Sequence, residues 1–185
     1  MNPLGAVVNG VDLMRELGAA SGDDLEMVGA SAGRARDLLA FHRLAFGLGA
    51  EGGEAVARAE IARLAEAVLA GRRVEISIGA PDGPALPRPA ARLALLMALA
   101  GRGLLGMSGR LMLELPPVGA LPLALTAEGT APRAAGMLAR LSETGAAPEP
   151  EAVEFHLLPH AAEAAGAALA HRLEDGRATL TAAQG

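Results

Sequence analysis

The first 46 residues carry apolar side chains at the spacing of α-helices. Every third or fourth position is apolar, which places these side chains on one face of each helix. Glycines at positions 18, 22, 47 and 49 mark the ends of the two segments. The periodic positions are Leu4, Val7, Val8, Val11, Met14 and Leu17, then Leu25, Val28, Ala32, Ala35, Leu39, His42 and Phe46.

This pattern predicts an antiparallel helical hairpin within residues 1–50. A single hairpin cannot bury the apolar sides of both helices. The simplest arrangement that can do so is a four-helix bundle made from two copies, so we expect a homodimer.

From residue 54 onward the pattern predicts a second domain, 54–185, of mixed helices and strands. Alternating apolar residues predict strands, and 3.6-residue periodicity predicts helices. Pro122 marks its strand as an edge strand, because proline cannot donate a hydrogen bond to a neighbour. The expected strands are 73–78, 110–115, 121–126 and 177–181, and the expected helices are 54–70, 89–102, 132–142 and 150–174.

The composition excludes several function classes. The chain has 185 residues, 51% of them apolar and 20% charged, with a formal charge of −5 and no basic patch for nucleic acid. The absence of cysteine excludes disulfides and thiolate metal sites. No apolar run is long enough to span a membrane, and the opening residues lack the basic and apolar segments typical of a secretory signal, so we expect none. We therefore expect a cytoplasmic protein.

The opening Asn2-Pro3 pair, followed by a helix, resembles the end of the H-D-x-x-S/T/N-P box of histidine-kinase and phosphotransfer helices. In that box the phosphorylated histidine stands five residues before the proline. The resemblance therefore places the phosphoacceptor histidine three residues upstream of Met1, and we expect the true start upstream as well. No catalytic residue is expected within the chain itself.

Four segments are similar to the ChpT-like histidine phosphotransferases of alphaproteobacteria. They are Pro3–Met14, Leu39–Gly47, Leu86–Leu113 and Val153–Leu169. The resemblance implies a dimeric helical bundle of the kind that carries the histidine in sensor kinases (DHp-like). It also implies that residues 54–185 form a degenerate relative of the histidine-kinase ATPase domain, an α/β sandwich without a cofactor.

The same resemblance implies a function in a phosphorelay. Such proteins accept phosphate from the receiver domain of a hybrid histidine kinase and pass it to response regulators. They are not ATP-dependent kinases. The residues support this independently, because the kinase fold needs a magnesium-binding asparagine on its first nucleotide-facing helix, and Asn2 and Asn9 are the only asparagines.

Five residues fall on the helical face below the expected histidine: Asn2, Gly5, Asn9, Asp12 and Glu16. We predict that this polar stripe docks partner proteins, with Gly5 leaving room for close approach. A merely solvated helix face is the alternative. Asn2 could equally cap the helix that begins at Pro3.

The four histidines present offer weaker chemistry. His42 is expected to pack or to lie on the surface. His156 and His160 are spaced for one helix face and His171 follows, but the cysteine-free chain lacks the surrounding pattern of a metal site. The GxGxxG match at 101–106 follows a helix, so we expect it to end that helix and lead into a strand.

Two other functions remain open. The chain could be a non-catalytic adaptor that binds receiver domains, because it contains no credible phosphoacceptor. An ATP-binding kinase is the third possibility, and a nucleotide titration would reveal it.

Overall fold

A computed structural model describes residues 3–16, 23–47, 54–69, 73–79, 82–142 and 152–185. The helices are α1 (Pro3–Glu16), α2 (Asp23–Phe46), α3 (Arg58–Leu69), α4 (Arg88–Leu104), α5 (Ala134–Ala139) with a 3₁₀ turn (Arg140–Ser142), and α6 (Val153–Ala164). The strands are β1 (Arg73–Gly79), β2 (Leu105–Glu114), β3 (Leu123–Thr130), β4 (Ala167–Glu174) and β5 (Arg177–Gln184). We call α1 and α2 the arm, and residues 54–185 the sheet region.

The strands form one five-stranded sheet in the order β1-β2-β3-β5-β4. Strands β1 and β2 are parallel, and the other neighbours are antiparallel. Alternate residues of the inner strands, such as Leu111, Leu125 and Leu180, are buried on one face, where α4 packs. The opposite face is open and carries polar side chains. The sheet region is therefore a two-layer α+β structure, as predicted.

Opposite charges alternate across the open face. Glu75, Arg110, Glu128, Arg177 and Glu174 are consecutive neighbours from β1 to β4. The Arg110 Nε atom lies 3.1 Å from a Glu75 oxygen, and other pairs in the row are 3.7 Å apart. Exposed pairs of this kind contribute about 0.2–1 kcal/mol each. The pairs help to fix the register of the strands, since a strand that slipped by one residue would turn its charged side chain to the other face.

Helix α4 is the centre of the core, because most of its residues are fully buried. Gly101 permits its close approach to the sheet. A Cβ atom there would lie 2.7 Å from Leu125 and 2.8 Å from Leu111. The helix ends at Leu104 and β2 begins at Leu105. The glycine pattern at 101–106 therefore ends a helix and leads into a strand, as expected.

The predicted late helix over 150–174 is wrong beyond residue 164. Helix α6 ends there, and the alanine-rich segment that follows is strand β4. Gly166 has a φ of 68°, a left-handed conformation that reverses the chain between the two. Alanine favours helices, but pairing with β5 over the full length of β4 overrides that preference.

The prediction that Pro122 marks an edge strand is also wrong. Strand β3 lies between β2 and β5, so it has hydrogen-bonded neighbours on both sides. The strand begins at Leu123, one residue after the proline. The missing N–H group of Pro122 therefore falls outside the ladder.

Candidate functional site

The predicted polar stripe lies on α1. Asn9, Asp12 and Glu16 are all exposed, and their spacing of three and four residues places them on one face of the helix. Gly5 is also part of α1 and falls on the same face by position. Asn2 lies outside the described residues. Three of the five predicted docking residues are therefore accessible to a partner.

An apolar stripe occupies the opposite side of α1. Val7 is 47% exposed and Met14 is 48% exposed. They are seven residues apart, which is two helical turns, and about half a turn around the axis from Asn9 and Glu16. This helix thus presents polar groups on one side and Val7 and Met14 on the other. Leu13, which is 54% exposed, lies on the polar side, within about 60° of Asn9 and Glu16 around the axis.

Helix α2 has two apolar faces. Phe41, Leu44 and Ala45 are buried in the core of the sheet region. On the other side, Val28 and Leu39 are 49% and 48% exposed. The sequence pattern predicted the stripe that contains Val28 and Leu39, but it did not reveal the second face.

Among the described side chains of the arm, Val11 and Ala32 are buried outside the main core. Helices α1 and α2 contact each other, so both predicted helices are present and packed together. Large apolar side chains exposed on the arm are Val7, Leu13, Met14, Met27, Val28 and Leu39. Among the described residues of the sheet region, the corresponding side chains are Val118 and Leu173.

His42 lies on the exposed side of α2. Its ring stacks near Phe46, with centroids 5.6 Å apart and planes 24° apart. It meets Phe41 edge to face, also at 5.6 Å. These contacts agree with the expected packing or surface role.

The other histidines lie on two elements of the sheet region. His156 and His160 lie on α6, whereas His171 lies on β4. Within the ranges that the structure describes, no group of three or more histidine, aspartate or glutamate side chains is arranged to hold a metal ion.

Glu154 is a buried carboxylate at the start of α6. It packs beside Gly103 of α4, and its Oε1 atom lies 3.1 Å from where a Cβ atom at that glycine would be. Burial raises the pKa of Glu154, although a hydrogen bond to its own backbone and the charge of Arg102 oppose the shift. This pair lies at the interface of α4 and α6, away from the stripe on α1.

The family model for the histidine phosphotransferase C-terminal domain matches residues 58–177. The chain belongs to this ChpT-like histidine phosphotransferase family. The match covers α3 to the start of β5 and hence most of the sheet region. Family membership gives the protein a role in two-component phosphorelay signalling.

Two solved structures share the fold of this histidine phosphotransferase. A bacterial phosphotransferase, determined at 1.7 Å, is 23% identical with a TM-score of 0.67, and the match covers 97% of this chain and 87% of that one. The histidine kinase domain of the blue-light activated kinase EL346 from Erythrobacter litoralis is 12% identical with a TM-score of 0.52, covering 98% and 94%. No curated protein matches the sequence significantly.

The fold of residues 54–185 is thus similar to that of a histidine kinase domain, as the resemblance implied. Among the described helices of this phosphotransferase, none combines the length and apolar character needed to cross a membrane.

Proposed function

We propose that this protein is a phosphorelay histidine phosphotransferase that passes phosphoryl groups between the receiver domain of a hybrid histidine kinase and response regulators. The arm is its dimerisation and phosphotransfer domain, within residues 1–50. The sheet region, 54–185, is a degenerate ATPase-like domain that takes no cofactor.

The placement of two opposed stripes on α1 is the observation that carries the proposal. Asn9, Asp12 and Glu16 face one way, and Val7 and Met14 face the other. A helix in a dimeric bundle needs an apolar side for its partner helices and a polar side that stays open to a docking protein. Both requirements are met on the same 14-residue helix.

Homodimerisation is supported by the apolar side chains of the arm. Monomeric proteins rarely leave a contiguous set of large apolar side chains in water. Val7 and Met14 of α1, together with Val28 and Leu39 of α2, would become buried when a second arm packs against them. The result is the four-helix bundle that the sequence pattern predicts.

The transfer chemistry needs an imidazole on the polar side of the bundle. A histidine three residues upstream of Met1 would follow the same helical face as Gly5, Asn9 and Asp12. Its ring nitrogen attacks the phosphorus of the receiver's aspartyl phosphate, and the bond from phosphorus to the aspartate oxygen breaks. The arm holds the imidazole in position for this attack, because in-line geometry is the main requirement of phosphoryl transfer.

Binding of a receiver domain tests the docking stripe. Asn9→Arg and Glu16→Arg should each weaken receiver binding about three- to tenfold, equivalent to roughly 0.7–1.4 kcal/mol. Glu114→Arg makes the same charge change as Glu16→Arg at an exposed position on the open face of the sheet, so it should leave binding unchanged. Equal affinities for all three variants would remove the stripe from the interface.

A second function is favoured by one observation. The histidines of this sequence are at positions 42, 156, 160 and 171, so none lies on α1. A chain without a phosphoacceptor on that helix would act as a non-catalytic adaptor that binds receivers. Incubation with a phosphorylated receiver separates the two functions, because an adaptor binds it without removing its phosphate.

A further inference from the structure

The second half of helix α2 packs in the core of the sheet region, although the helix itself is part of the arm. Phe41, Leu44 and Ala45 are 0%, 7% and 0% exposed and are part of the core that also contains α3 and α4. The helix runs without interruption from Asp23 to Phe46. The arm is therefore connected to the core through a continuous helix.

Polar contacts fix the orientation of this helix. Asp37 of α2 forms an ion pair with Arg63 of α3, and Arg36 approaches the same Asp37 oxygen at 3.3 Å. At the end of α2, the Arg92 Nε atom of α4 donates a hydrogen bond to the Ala45 carbonyl oxygen at 3.0 Å. Arg92 satisfies one of the carbonyl groups that a helix leaves unpaired at its C-terminus.

These two kinds of contact have different physical roles. Apolar burial at Phe41 holds the helix against the core, but it is non-directional and tolerates a change of angle. A carboxylate held by arginine donors is directional, because both distance and angle determine its strength. The charged contacts therefore add a directional restraint on the angle at which the arm projects.

We infer that the arm and the sheet region move as one rigid body, latched by the Asp37–Arg63 ion pair and by the Arg92 hydrogen bond at the end of α2. The latch makes Asp37 and Arg63 positioning residues. A sheet region that cannot swing cannot carry a group to its own arm, so the phosphoryl group must come from another chain. That consequence rests on the proposed function, whereas the rigidity itself does not.

Distance measurements between paired spin labels test the latch directly. The chain contains no cysteine, so Ser31→Cys on α2 and Ser77→Cys on β1 can be labelled without background. Both serines are exposed, and Ser31 lies on the part of α2 beyond the latch. Dilution with unlabelled chain restricts the signal to distances within one protomer.

The labelled protein should give one narrow distance peak. Asp37→Asn and Arg63→Gln should each abolish that peak in favour of a broad distribution, while Arg63→Lys should retain it because the charge is kept. Glu66→Gln, one turn further along α3, is the matched control and should leave the peak narrow. Thermal melting of every variant confirms that the core remains folded.

A broad distribution in the parent protein would overturn the rigid-body inference. A narrow peak that persists in both Asp37→Asn and Arg63→Gln would overturn the role of this ion pair in the latch, since the core and the Arg92 hydrogen bond would then fix the angle without it. Neither result depends on phosphate transfer or receiver binding. Failure of this inference and failure of the proposed function are therefore distinguishable.

Discussion

The arm and the sheet region differ in how completely they bury their large apolar side chains. Inside the sheet region, α4 and the inner strands enclose side chains such as Leu93, Leu113 and Phe155 completely. The arm leaves Val28, Leu39 and other large side chains about half exposed. The sheet region thus encloses its core together with the end of α2, whereas the arm leaves apolar side chains that the proposed second copy would bury. The following predictions compare the two regions, from the largest expected effect to the smallest.

Two neighbouring residues of α2 give the largest contrast. Phe41→Ala should lower the free energy of unfolding by about 3–5 kcal/mol, because the side chain is fully buried in the core. Leu39→Ala should change the stability of the monomer by less than about 0.5 kcal/mol, because this side chain is 48% exposed. Thermal and urea unfolding at low protein concentration measure both. Similar losses for the two variants would contradict the assignment of two faces to α2.

The exposed face of the arm should control the oligomeric state. Val28→Glu combined with Leu39→Glu would bury charges in the proposed bundle and should convert the dimer into a monomer. Light scattering coupled to size-exclusion chromatography gives the mass directly. Val118→Glu is the matched control, because that side chain is 78% exposed on a loop of the sheet region. A dimer that survives the double substitution must use another surface.

Close packing in the sheet region can be tested at a single glycine. Gly101→Ala should destabilise the protein by about 1–3 kcal/mol, because the added Cβ atom would overlap Leu111 and Leu125. Gly136→Ala on α5 meets no atom within 4 Å and should instead stabilise the protein by about 0.5–1 kcal/mol. Chemical denaturation of both variants distinguishes them. A neutral Gly101→Ala would show that α4 does not rest so closely on the sheet.

Glu154 should give a smaller effect that depends on pH. Its pKa is raised by burial, so the folded state binds the proton more tightly than the unfolded state does. The contribution of Glu154 to stability is therefore greatest below its ordinary pKa, about 4.3, and is lost as the pH rises through the raised value. Glu154→Gln should remove this dependence, with unfolding followed across pH 4 to 8 as the measurement. An unchanged slope would assign the pH dependence to other groups.

The helices of the arm and most of the strands could be predicted from the sequence, because the periodicity that defines them is local. The second apolar face of α2 could not be assigned in the same way. Phe41, Leu44 and Ala45 are buried because they pack against α3 and α4, which come later in the chain. The same holds for the Asp37–Arg63 pair, which joins residues 26 positions apart.

The overlong predicted helix over 150–174 and the edge-strand assignment at Pro122 were wrong for a non-local reason as well. Alanine and leucine in 167–170 fit a helix as well as a strand, and only pairing with β5 decides between them. Pro122 cannot donate a hydrogen bond, as the prediction assumed. It does not mark an edge strand, however, because β3 begins one residue after it. Of the predicted docking stripe, Asn9, Asp12 and Glu16 are exposed in the structure, and their docking role stays a prediction.

Phosphate transfer from a receiver domain is the most direct test of the central proposal. The protein, produced from the native start of its reading frame, is mixed with a receiver that carries radiolabelled phosphate. We predict that label moves to the protein as acid-labile, alkali-stable phosphohistidine, five residues before Pro3. Receiver binding with no label transferred would contradict a phosphotransferase and leave the adaptor function in its place.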